Sequence, residues 1–373
     1  MTTVSAPTPA QPSPQARHPR LTRAGVAAVA AAQRLGATVI PVVPDRAKRL
    51  LMGGRSVTID GNTLDPTMQM MLRGQKLSGD TDLSATRDVA TARENLRQLA
   101  AAVHRRPVRV GGVANLTIPG PAGALRARHY RPEGSGPAPL LVFFHGGGWV
   151  IGDLDTHDGQ CRLICRHTGI HVLSVDYRLA PEHPAPAAVE DGYAAFTWAL
   201  AHGGELGAEP GRVLVGGDSA GGNIAAVVAQ RGRDESTPPA LQLLLYPATQ
   251  MGADTRSKAL FADGFFLTRG DMDFFEHHYL SGGVDPADPR VSPLLAADLA
   301  GLPPAIVATA GFDPLRDEGE QYAAAMLDAG AVVDLRRFGS LVHGFFGMGP
   351  LGGGSAVAVA EIVSALRAHL CHR

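Results

Sequence analysis

Short, continuous apolar runs recur along the chain from about residue 125 onward and alternate with segments of helical character. Residues 140–144, 212–216 and 304–311 are the clearest of these runs, and 125–130, 172–175 and 332–338 are predicted as further strands. Runs that are apolar at every position are typical of strands buried on both faces of a parallel sheet. Their alternation with helical segments predicts an α/β fold with a mostly parallel central sheet flanked by helices.

The N-terminal region has a different pattern. Residues 1–20 are rich in Pro, Ala, Ser and Thr, a composition that predicts a disordered tail. Residues 24–41 are more apolar, but Gln33 and Arg34 interrupt them, so the segment is too short and broken for a transmembrane helix. A cap helix with one apolar face is the simplest interpretation, and a helix lying on a membrane surface is the alternative.

One predicted strand ends in the pentapeptide GDSAG at 217–221. The pattern G-x-S-x-G fits a strand-to-helix turn so tight that the serine hydroxyl stands clear of the sheet, because only glycine leaves room on either side. The small apolar residues at 223–230 are compatible with the helix that this turn requires. Glycine-rich strand ends are common in α/β proteins, so the pentapeptide alone leaves a catalytic Ser219 and an ordinary turn equally open.

A second glycine-rich segment follows the run at 140–144, where the sequence reads HGGGW at 145–149. Three successive glycines expose backbone N–H groups with no side chains to shield them. Acyl transfer needs such donors, directed at the oxygen that gains negative charge in the tetrahedral intermediate. An isolated Gly-Gly-Gly is more often a flexible turn, but beside a serine in a tight strand-to-helix turn it predicts an oxyanion hole.

These motifs and three others occur in the order typical of the hormone-sensitive-lipase family of α/β-hydrolases, whose GDSAG-bearing branch the chain resembles. The resemblance is greatest to actinobacterial carboxylesterases named as lipases. It implies an α/β-hydrolase fold with a helical cap, and it implies no cofactor and no metal. The segments that carry it are HGGGW at 145–149, DYRLAPE at 176–182, GDSAG at 217–221, DPLRDE at 313–318 and HGF at 343–345.

The resemblance implies a catalytic triad of Ser219, Asp313 and His343, in the chain order expected of an α/β-hydrolase. Asp313 and His343 each lie in a loop that follows a late predicted strand. Asp317 and Glu318 compete with Asp313 as the acid of the triad. The family pattern assigns the first Asp of DPLRDE, so Asp313 is the expected acid.

By the same resemblance, the N–H groups of Gly147, Gly148 and Ala220 are expected to form the oxyanion hole. Gly146 is then the residue that lets the loop turn. Sequence alone leaves open which pair of glycine N–H groups faces the substrate.

Other residues near these motifs have different expected roles. Trp149, directly after the glycines, is expected to form a wall of the acyl or alcohol pocket. His145, the charged segment 176–182 and Glu190 could be taken for catalytic groups. The resemblance instead implies that they support the oxyanion loop.

The resemblance also implies a cap built from two pieces above a discontinuous catalytic domain, with the cap at 21–105 and 253–285 and the catalytic domain at 106–252 and 286–373. Met71 in the first piece and Phe265 in the second are expected to line the substrate pocket. Methionines and aromatic residues at such positions are more often packing residues. Because the cap forms the roof of the acyl site, some of them are expected to serve both purposes: Met68, Met70, Leu72, Phe261, Phe266 and Phe275.

Composition narrows the classes of function further. The chain has 373 residues, of which 45% are hydrophobic, and a net charge of −1 at pH 7, so it lacks the basic surface typical of nucleic-acid binding. Cys161, Cys165 and Cys371 provide neither an even-numbered disulfide framework nor a zinc pattern. No cationic segment precedes an apolar core near the N-terminus, so a cytoplasmic protein is expected. A small ester is the expected partner, no membrane span is expected, and a homodimer is left open.

The leading hypothesis is a serine carboxylesterase that hydrolyses short- to medium-chain esters through an acyl-enzyme on Ser219. The cap carries several charged residues, which makes it more polar than the broad apolar face of a long-chain lipase: Arg73, Lys76, Asp80 and Asp82. An amidase or lactonase that uses the same triad is an alternative, because fold alone does not set the leaving group. A non-catalytic ligand receptor is disfavoured because Ser219 and His343 are both present.

Overall fold

A computed structural model describes residues 35–78, 83, 88–134 and 136–371 of the chain. Eight strands form one sheet in the order β10-β9-β8-β7-β5-β6-β4-β3. The pairings from β10 to β6 are parallel, and those that add β4 and β3 at one edge are antiparallel, which confirms the predicted, mostly parallel sheet. The strands are β3 (Gly112–Gly120), β4 (Gly123–Arg131), β5 (Ala138–Phe144), β6 (His171–Asp176), β7 (Ala208–Asp218), β8 (Gln242–Leu245), β9 (Ala305–Phe312) and β10 (Val333–Val342).

Helices cover the sheet. Residues of β5 alternate between two apolar cores, with Val142 packed in one and Phe143 in the other. Strand β5 is therefore buried on both faces, as its continuous apolar run predicts. The helices are α1 (Asp45–Leu51), α2 (Pro66–Ser78), α3 (Val89–Val103), α4 (Asp158–Thr168), α5 (Ala187–His202), α6 (Ala220–Asp234), α7 (Arg256–Leu260), α8 (Arg269–Tyr279), α9 (Arg316–Asp328) and α10 (Gly353–Cys371).

Two strands of the large sheet do not appear among the predicted runs. Strand β8 has four residues, all buried, and is too short to distinguish from a buried loop by its pattern alone. Strand β3 lies at the edge of the sheet, where most of its side chains are exposed or half-buried. Strand β8 is fixed by pairing with β7 and β9, which are distant in sequence, whereas β3 pairs with the next strand, β4, across a tight turn between Gly120 and Gly123.

Two regions of the described chain contribute no strand to the large sheet. The first contains α1, α2, α3 and the small hairpin of β1 (Thr58–Ile59) with β2 (Asn62–Thr63). The second, between β8 and β9, contains α7, α8 and the 3-10 turn Leu280–Gly282. The tail predicted at 1–20 and most of the segment at 24–41 lie outside the described residues.

Among the described helices, only α10 is long and apolar enough to cross a membrane by length and composition. Its buried positions recur at helical spacing, as in Ala358, Ile362 and Leu366. These side chains belong to the same core as Leu141 and Phe143 of β5. Packing against the sheet layer thus accounts for the apolar character of this helix.

Candidate active site

The GDSAG pentapeptide forms a sharp turn between β7 and α6. Ser219 has φ of 57° and ψ of −117°, a conformation that few non-glycine residues adopt. A Cβ atom at Gly221 would lie 1.9 Å from the carbonyl oxygen of Phe144, and one at Gly217 would lie 2.4 Å from the same oxygen. Only glycine fits at these two positions, because both approach the backbone at the end of β5.

The three residues expected to form the triad lie together although they are far apart in sequence. His343, directly after β10, has Nε2 at 2.9 Å from Ser219 Oγ and Nδ1 at 2.9 Å from Asp313 Oδ2. Asp313, at the end of β9, is fully buried, and its other carboxylate oxygen accepts the N–H of Leu315 at 2.8 Å. The carboxylate can only accept here, so Nδ1 of His343 carries a proton and Nε2 is free to accept from the serine hydroxyl.

The two alternative acids make other contacts. Asp317 accepts the N–H of Ser257 at 2.7 Å. Glu318 forms an ion pair with Lys258, with 2.7 Å between Nζ and Oε2. Asp313 is thus the acid of the DPLRDE segment that contacts His343.

The glycine loop after β5 offers backbone N–H groups beside Ser219. Gly146 N–H is already used, because it donates to Asp218 Oδ1 at 2.9 Å. None of the residues that the structure describes accepts a hydrogen bond from the N–H groups of Gly147, Gly148 or Ala220. This division matches the expected roles, with Gly146 in the turn and the other three N–H groups available to a ligand.

Asp218, the residue before the serine, connects the turn to the glycine loop. It is buried beside His157, with 3.3 Å between Nε2 of the imidazole and Oδ1 of the carboxylate. Burial alone would raise the pKa of Asp218, but His157 and the Gly146 N–H outweigh it, so the pKa lies below its usual value. An ionised Asp218 therefore fixes the start of the loop.

The DYRLAPE segment supports the same loop from the other side. Tyr177 donates its hydroxyl proton to His145 O at 2.7 Å and stacks on the imidazole at 4.3 Å between ring centroids. Ala180 N–H donates to Trp149 O at 2.9 Å. Burial lowers the pKa of His145 to about 4, so this histidine is neutral near pH 7 and acts as a packing group.

Glu190, which was expected to support the glycine loop, makes only a weak contact. Its carboxylate lies 3.8 Å from Arg178 and is about half exposed. The fully buried Asp191 next to it binds Arg178 through both carboxylate oxygens at 2.8–3.0 Å. Sequence analysis missed Asp191, although a carboxylate on the apolar face of a helix is a recognisable signal for a buried ion pair.

A cavity of about 310 Å³ opens beside Ser219 and His343. Met71 and Trp149, both expected in the pocket, line it, and so do Met70, Phe266 and Phe275. Phe265 does not: its ring packs on Phe261 and Phe312 at 5.3 and 5.4 Å between centroids. The neighbouring Phe266, whose φ is 75°, is the residue of this pair that lines the cavity. Met68 and Leu72 pack in the core instead.

Helix α8, between β8 and β9, lies directly against the glycine loop that follows β5. A Cβ atom at Gly148 would lie 2.1 Å from the ring of Phe275. The indole of Trp149 stacks on Tyr279 at 4.3 Å with an interplanar angle of 6°. Two aromatic residues of one helix thus hold two consecutive residues of the loop.

The cavity also contains polar residues, none of which was expected in its wall. At one place Lys258, Glu276 and Glu318 line it together. Elsewhere the wall contains His104, whose Nε2 lies 2.9 Å from Gly347 O, and Gln160, a buried amide. Glu318 ends the DPLRDE motif, where it competed with Asp313 as the acid of the triad, but the other four lie in no motif and no signal in the sequence marks them.

No group of three or more His, Cys, Asp or Glu side chains within the described ranges could hold a metal ion. The three cysteines are free thiols, with Cys161 and Cys165 buried and Cys371 exposed. Burial raises the pKa of the Cys165 thiol to about 12.

A half-buried serine on a turn after a central parallel strand, with a histidine and an aspartate from later loops, defines the α/β-hydrolase class. The model of a family with the α/β-hydrolase fold matches residues 141–347 of the chain. The chain belongs to this α/β-hydrolase family, and its resemblance to the hormone-sensitive-lipase family is confirmed.

Similar proteins and solved structures agree with this family assignment. The chain is 56% identical to the carboxylic ester hydrolase LipN of Mycobacterium tuberculosis over 362 residues, which cover 95% of this chain and 96% of LipN. It is 45% identical to the esterase LipI of the same organism, over 71% of this chain and 83% of LipI. The structure of ester-hydrolase EH1AB1, from the metagenome of Lake Arreo and in complex with a bipyridine phosphonate derivative, matches with a TM-score of 0.76. That match has 41% sequence identity and covers 81% of this chain and 96% of EH1AB1.

Proposed function

We propose that this protein is a carboxylic ester hydrolase that cleaves short- to medium-chain esters through an acyl-enzyme on Ser219. One observation carries the proposal: Ser219 Oγ, His343 and Asp313 form a continuous hydrogen-bonded chain with two 2.9 Å contacts at the wall of a cavity. The names of the relatives LipN and LipI support the ester as substrate.

In the first half of the reaction, Ser219 Oγ attacks the carbonyl carbon of the ester while His343 Nε2 takes the serine proton. The carbonyl oxygen becomes an oxyanion and accepts hydrogen bonds from the N–H groups of Gly147, Gly148 and Ala220. Asp313 holds the imidazole in the required tautomer and stabilises its protonated form. The bond to the alcohol oxygen then breaks, and His343 returns the proton to the departing alcohol.

In the second half, a water molecule takes the place of the alcohol. His343 accepts a proton from the water as its oxygen attacks the acyl carbon of the Ser219 ester. The same N–H groups stabilise the second oxyanion, and collapse releases the carboxylic acid and restores the Ser219 hydroxyl. The cycle consumes one water for each ester and needs no redox partner.

The cavity supports the proposed size of the substrate. Its volume of about 310 Å³ lies at the lower end of the range of about 300–1,000 Å³ for small-molecule sites. Rates should therefore fall steeply for acyl chains beyond about eight carbons, since longer chains exceed the enclosed volume. Comparable turnover of emulsified triolein would contradict this limit.

The decisive experiment measures hydrolysis of p-nitrophenyl butyrate by the wild-type protein and by Ser219→Ala. We expect kcat to fall by at least about 10³ in the variant, because the nucleophile is removed. Ser236→Ala is a matched control, since Ser236 also has a positive φ, of 59°, but is exposed and lies away from the cavity. Equal activity of Ser219→Ala and wild type would contradict the proposal.

A companion measurement separates ester from amide hydrolysis. The wild-type protein is assayed on phenyl acetate and on acetanilide, which share the acyl group and differ in the leaving group. We expect a strong preference for the ester, because expulsion of an amine needs proton delivery to a poorer leaving group. Faster cleavage of acetanilide would favour the amidase alternative.

A further inference from the structure

A cluster of charged side chains interrupts the mostly apolar wall of the cavity. Lys258 from α7, Glu276 from α8 and Glu318 from α9 all line it. The side chains of Lys258 and Glu318 are only 4% and 1% exposed. Charges so far from bulk water are costly to keep unless they have a partner.

The ion pair satisfies only part of this cluster. Glu318 Oε1 accepts the N–H groups of Thr249 and Gln250 at 2.8 and 3.3 Å, which holds the loop after β8. Lys258 Nζ contacts Glu318 Oε2 at 2.7 Å and Gln250 O at 3.5 Å. An ammonium group has three N–H donors. Within the described part of the chain, the third donor of Lys258 has no acceptor.

Glu276 completes the cluster without joining the ion pair. Burial raises the pKa of its carboxyl, while the charge of Lys258 and the Gly252 N–H oppose the rise. A carboxyl group in either protonation state has an oxygen that accepts a hydrogen bond. The cavity thus presents an unused N–H donor on Lys258 and a carboxyl acceptor on Glu276.

A buried ion pair is weak evidence for a role in stability, because desolvation offsets most of its attraction. Even if the counter-ion of Glu318 lay elsewhere, the N–H groups of Thr249 and Gln250 would still hold its carboxylate against the loop after β8. Placement of the lysine at the wall of the substrate cavity is therefore better explained by recognition of a ligand.

We propose that Lys258, Glu276 and Glu318 form a polar subsite that binds an uncharged oxygen group, above all a hydroxyl, on the chain of the ester substrate. The inference rests on the proposed esterase function and names its substrate class. A hydroxyl accepts from Lys258 Nζ and donates to Glu276, which satisfies both groups at once. A carboxylate would meet two carboxyl groups, and an ammonium would meet the lysine, so both are disfavoured.

The test compares p-nitrophenyl esters of matched chain length, of about four to eight carbons, whose far end is a methyl, hydroxyl, carboxylate or ammonium group. Acetates of the corresponding alkanols and diols test the alcohol side of the ester in the same way. We expect kcat/KM of the wild-type protein to be at least about fivefold higher for the hydroxyl chain than for the methyl chain at one length. Carboxylate and ammonium chains should be poorer than the hydroxyl chain.

The variant that tests the subsite is Lys258→Met combined with Glu318→Gln, which removes both charges and keeps an acceptor for Thr249 N–H. Its hydroxyl-to-methyl ratio should fall to within about twofold of unity, while the methyl ester is still hydrolysed. Lys48→Met is the matched control, since Lys48 is also a buried lysine, bound to Asp45 and Thr67, but lies outside the cavity. It should keep the hydroxyl preference of the wild type.

A second variant, Glu276→Gln, keeps a hydrogen-bonding group and removes the negative charge, so it should accept the carboxylate chain better than the wild type does. A wild-type protein that hydrolyses the methyl ester without preferring the hydroxyl chain overturns the subsite but leaves the esterase intact. A preference that survives in the Lys258/Glu318 double variant also overturns it. A wild-type protein that hydrolyses none of the esters overturns the proposed function itself.

Discussion

Ser219 and Trp149, which both line the cavity, adopt backbone conformations that residues with side chains normally avoid. Ser219 has φ of 57° and Trp149 has φ of 60°. Such residues cost about 1–3 kcal/mol each and persist only where their surroundings hold them. The N–H of Ser219 donates to Leu245 O, and its carbonyl accepts from Asn223 and Ala248 N–H groups. The stacked Tyr279 ring and the hydrogen bond to Ala180 hold Trp149 in the same way.

Gly148 is the residue at which this geometry can be tested most directly. A Cβ atom there would lie 2.1 Å from the Phe275 ring, so Gly148→Ala must displace either the loop or helix α8. Misplacing one oxyanion donor should lower kcat by about 10²–10³. The measurement is kcat for p-nitrophenyl butyrate, with folding checked by circular dichroism.

The collision with Phe275 also provides the control for this prediction. The double variant Gly148→Ala/Phe275→Ala has room for the methyl group and should recover at least about tenfold of the lost kcat. Gly169→Ala introduces the same change at φ of 74°, where nothing lies within 4 Å, and should leave kcat near that of the wild type. Full activity of the Gly148→Ala single variant would refute the assignment of this loop as the oxyanion hole.

Among the elements, α3 is attached through one arginine to the backbone directly after the glycine loop and to the DYRLAPE segment. Arg93 donates through Nε to Val150 O at 2.9 Å and through Nη2 to Ala180 O at 3.1 Å. Its guanidinium also pairs with Glu182, whose side chain is about half exposed. Exposed ion pairs contribute little to stability, so the two bonds to backbone carbonyls should matter more than the charge pair.

Arg93→Met should therefore loosen α3 more than Glu182→Gln does. Leu96, Leu99 and Val103 of this helix line the cavity, so a loosened helix should raise KM for a hexanoate ester more than for an acetate ester. We expect a rise of about fivefold in KM for Arg93→Met and less than about twofold for Glu182→Gln. The measurement is KM and kcat for both esters with all three proteins. Equal effects of the two variants would show that the ion pair, not the carbonyl contacts, attaches the helix.

The elements that sequence predicted are those whose constraints are local. Strand β5 is apolar at every position, and the turn at Ser219 needs glycine on both sides, so both could be recognised without tertiary information. Strand β8 could not be recognised in this way, because its four residues are all buried and show no alternation of apolar and polar positions. Phe265 and Phe266 were both expected near the cavity, and only Phe266 lines it, because the ring of Phe265 packs on Phe261 and Phe312 instead.

For the whole molecule, the positions of the reacting groups depend on local constraints, whereas part of the cavity around them depends on long-range packing. Ser219, Asp313 and His343 follow the ends of parallel strands, and those ends meet at one edge of the sheet. Lys258 and Glu276 reach the cavity only through the packing of α7 and α8, which depends on contacts distant in sequence. The charged part of the cavity wall is therefore what sequence analysis could not supply.

Buried histidines give the folded molecule a predictable response to acid. Burial lowers the pKa of His145 and of His129 to about 4, from a usual value near 6.5. Between these values the unfolded chain binds protons that the native protein does not, so stability is full above about pH 6.5 and falls as pH decreases towards 4. Each unit of pKa difference corresponds to about 1.4 kcal/mol, so the unfolding free energy should drop by a few kcal/mol.

His129→Gln isolates one part of this response at a distance from the reacting groups. His129 Nε2 lies 2.8 Å from Nδ1 of His171, and a glutamine at 129 can still donate to that nitrogen without titrating. The decrease in Tm between pH 7 and 5, measured by scanning calorimetry, should therefore be smaller in the variant than in the wild type. His277→Gln, at an exposed site, should leave the wild-type decrease unchanged. If His129→Gln follows the wild-type curve over this range, proton uptake at His129 does not drive the loss of stability.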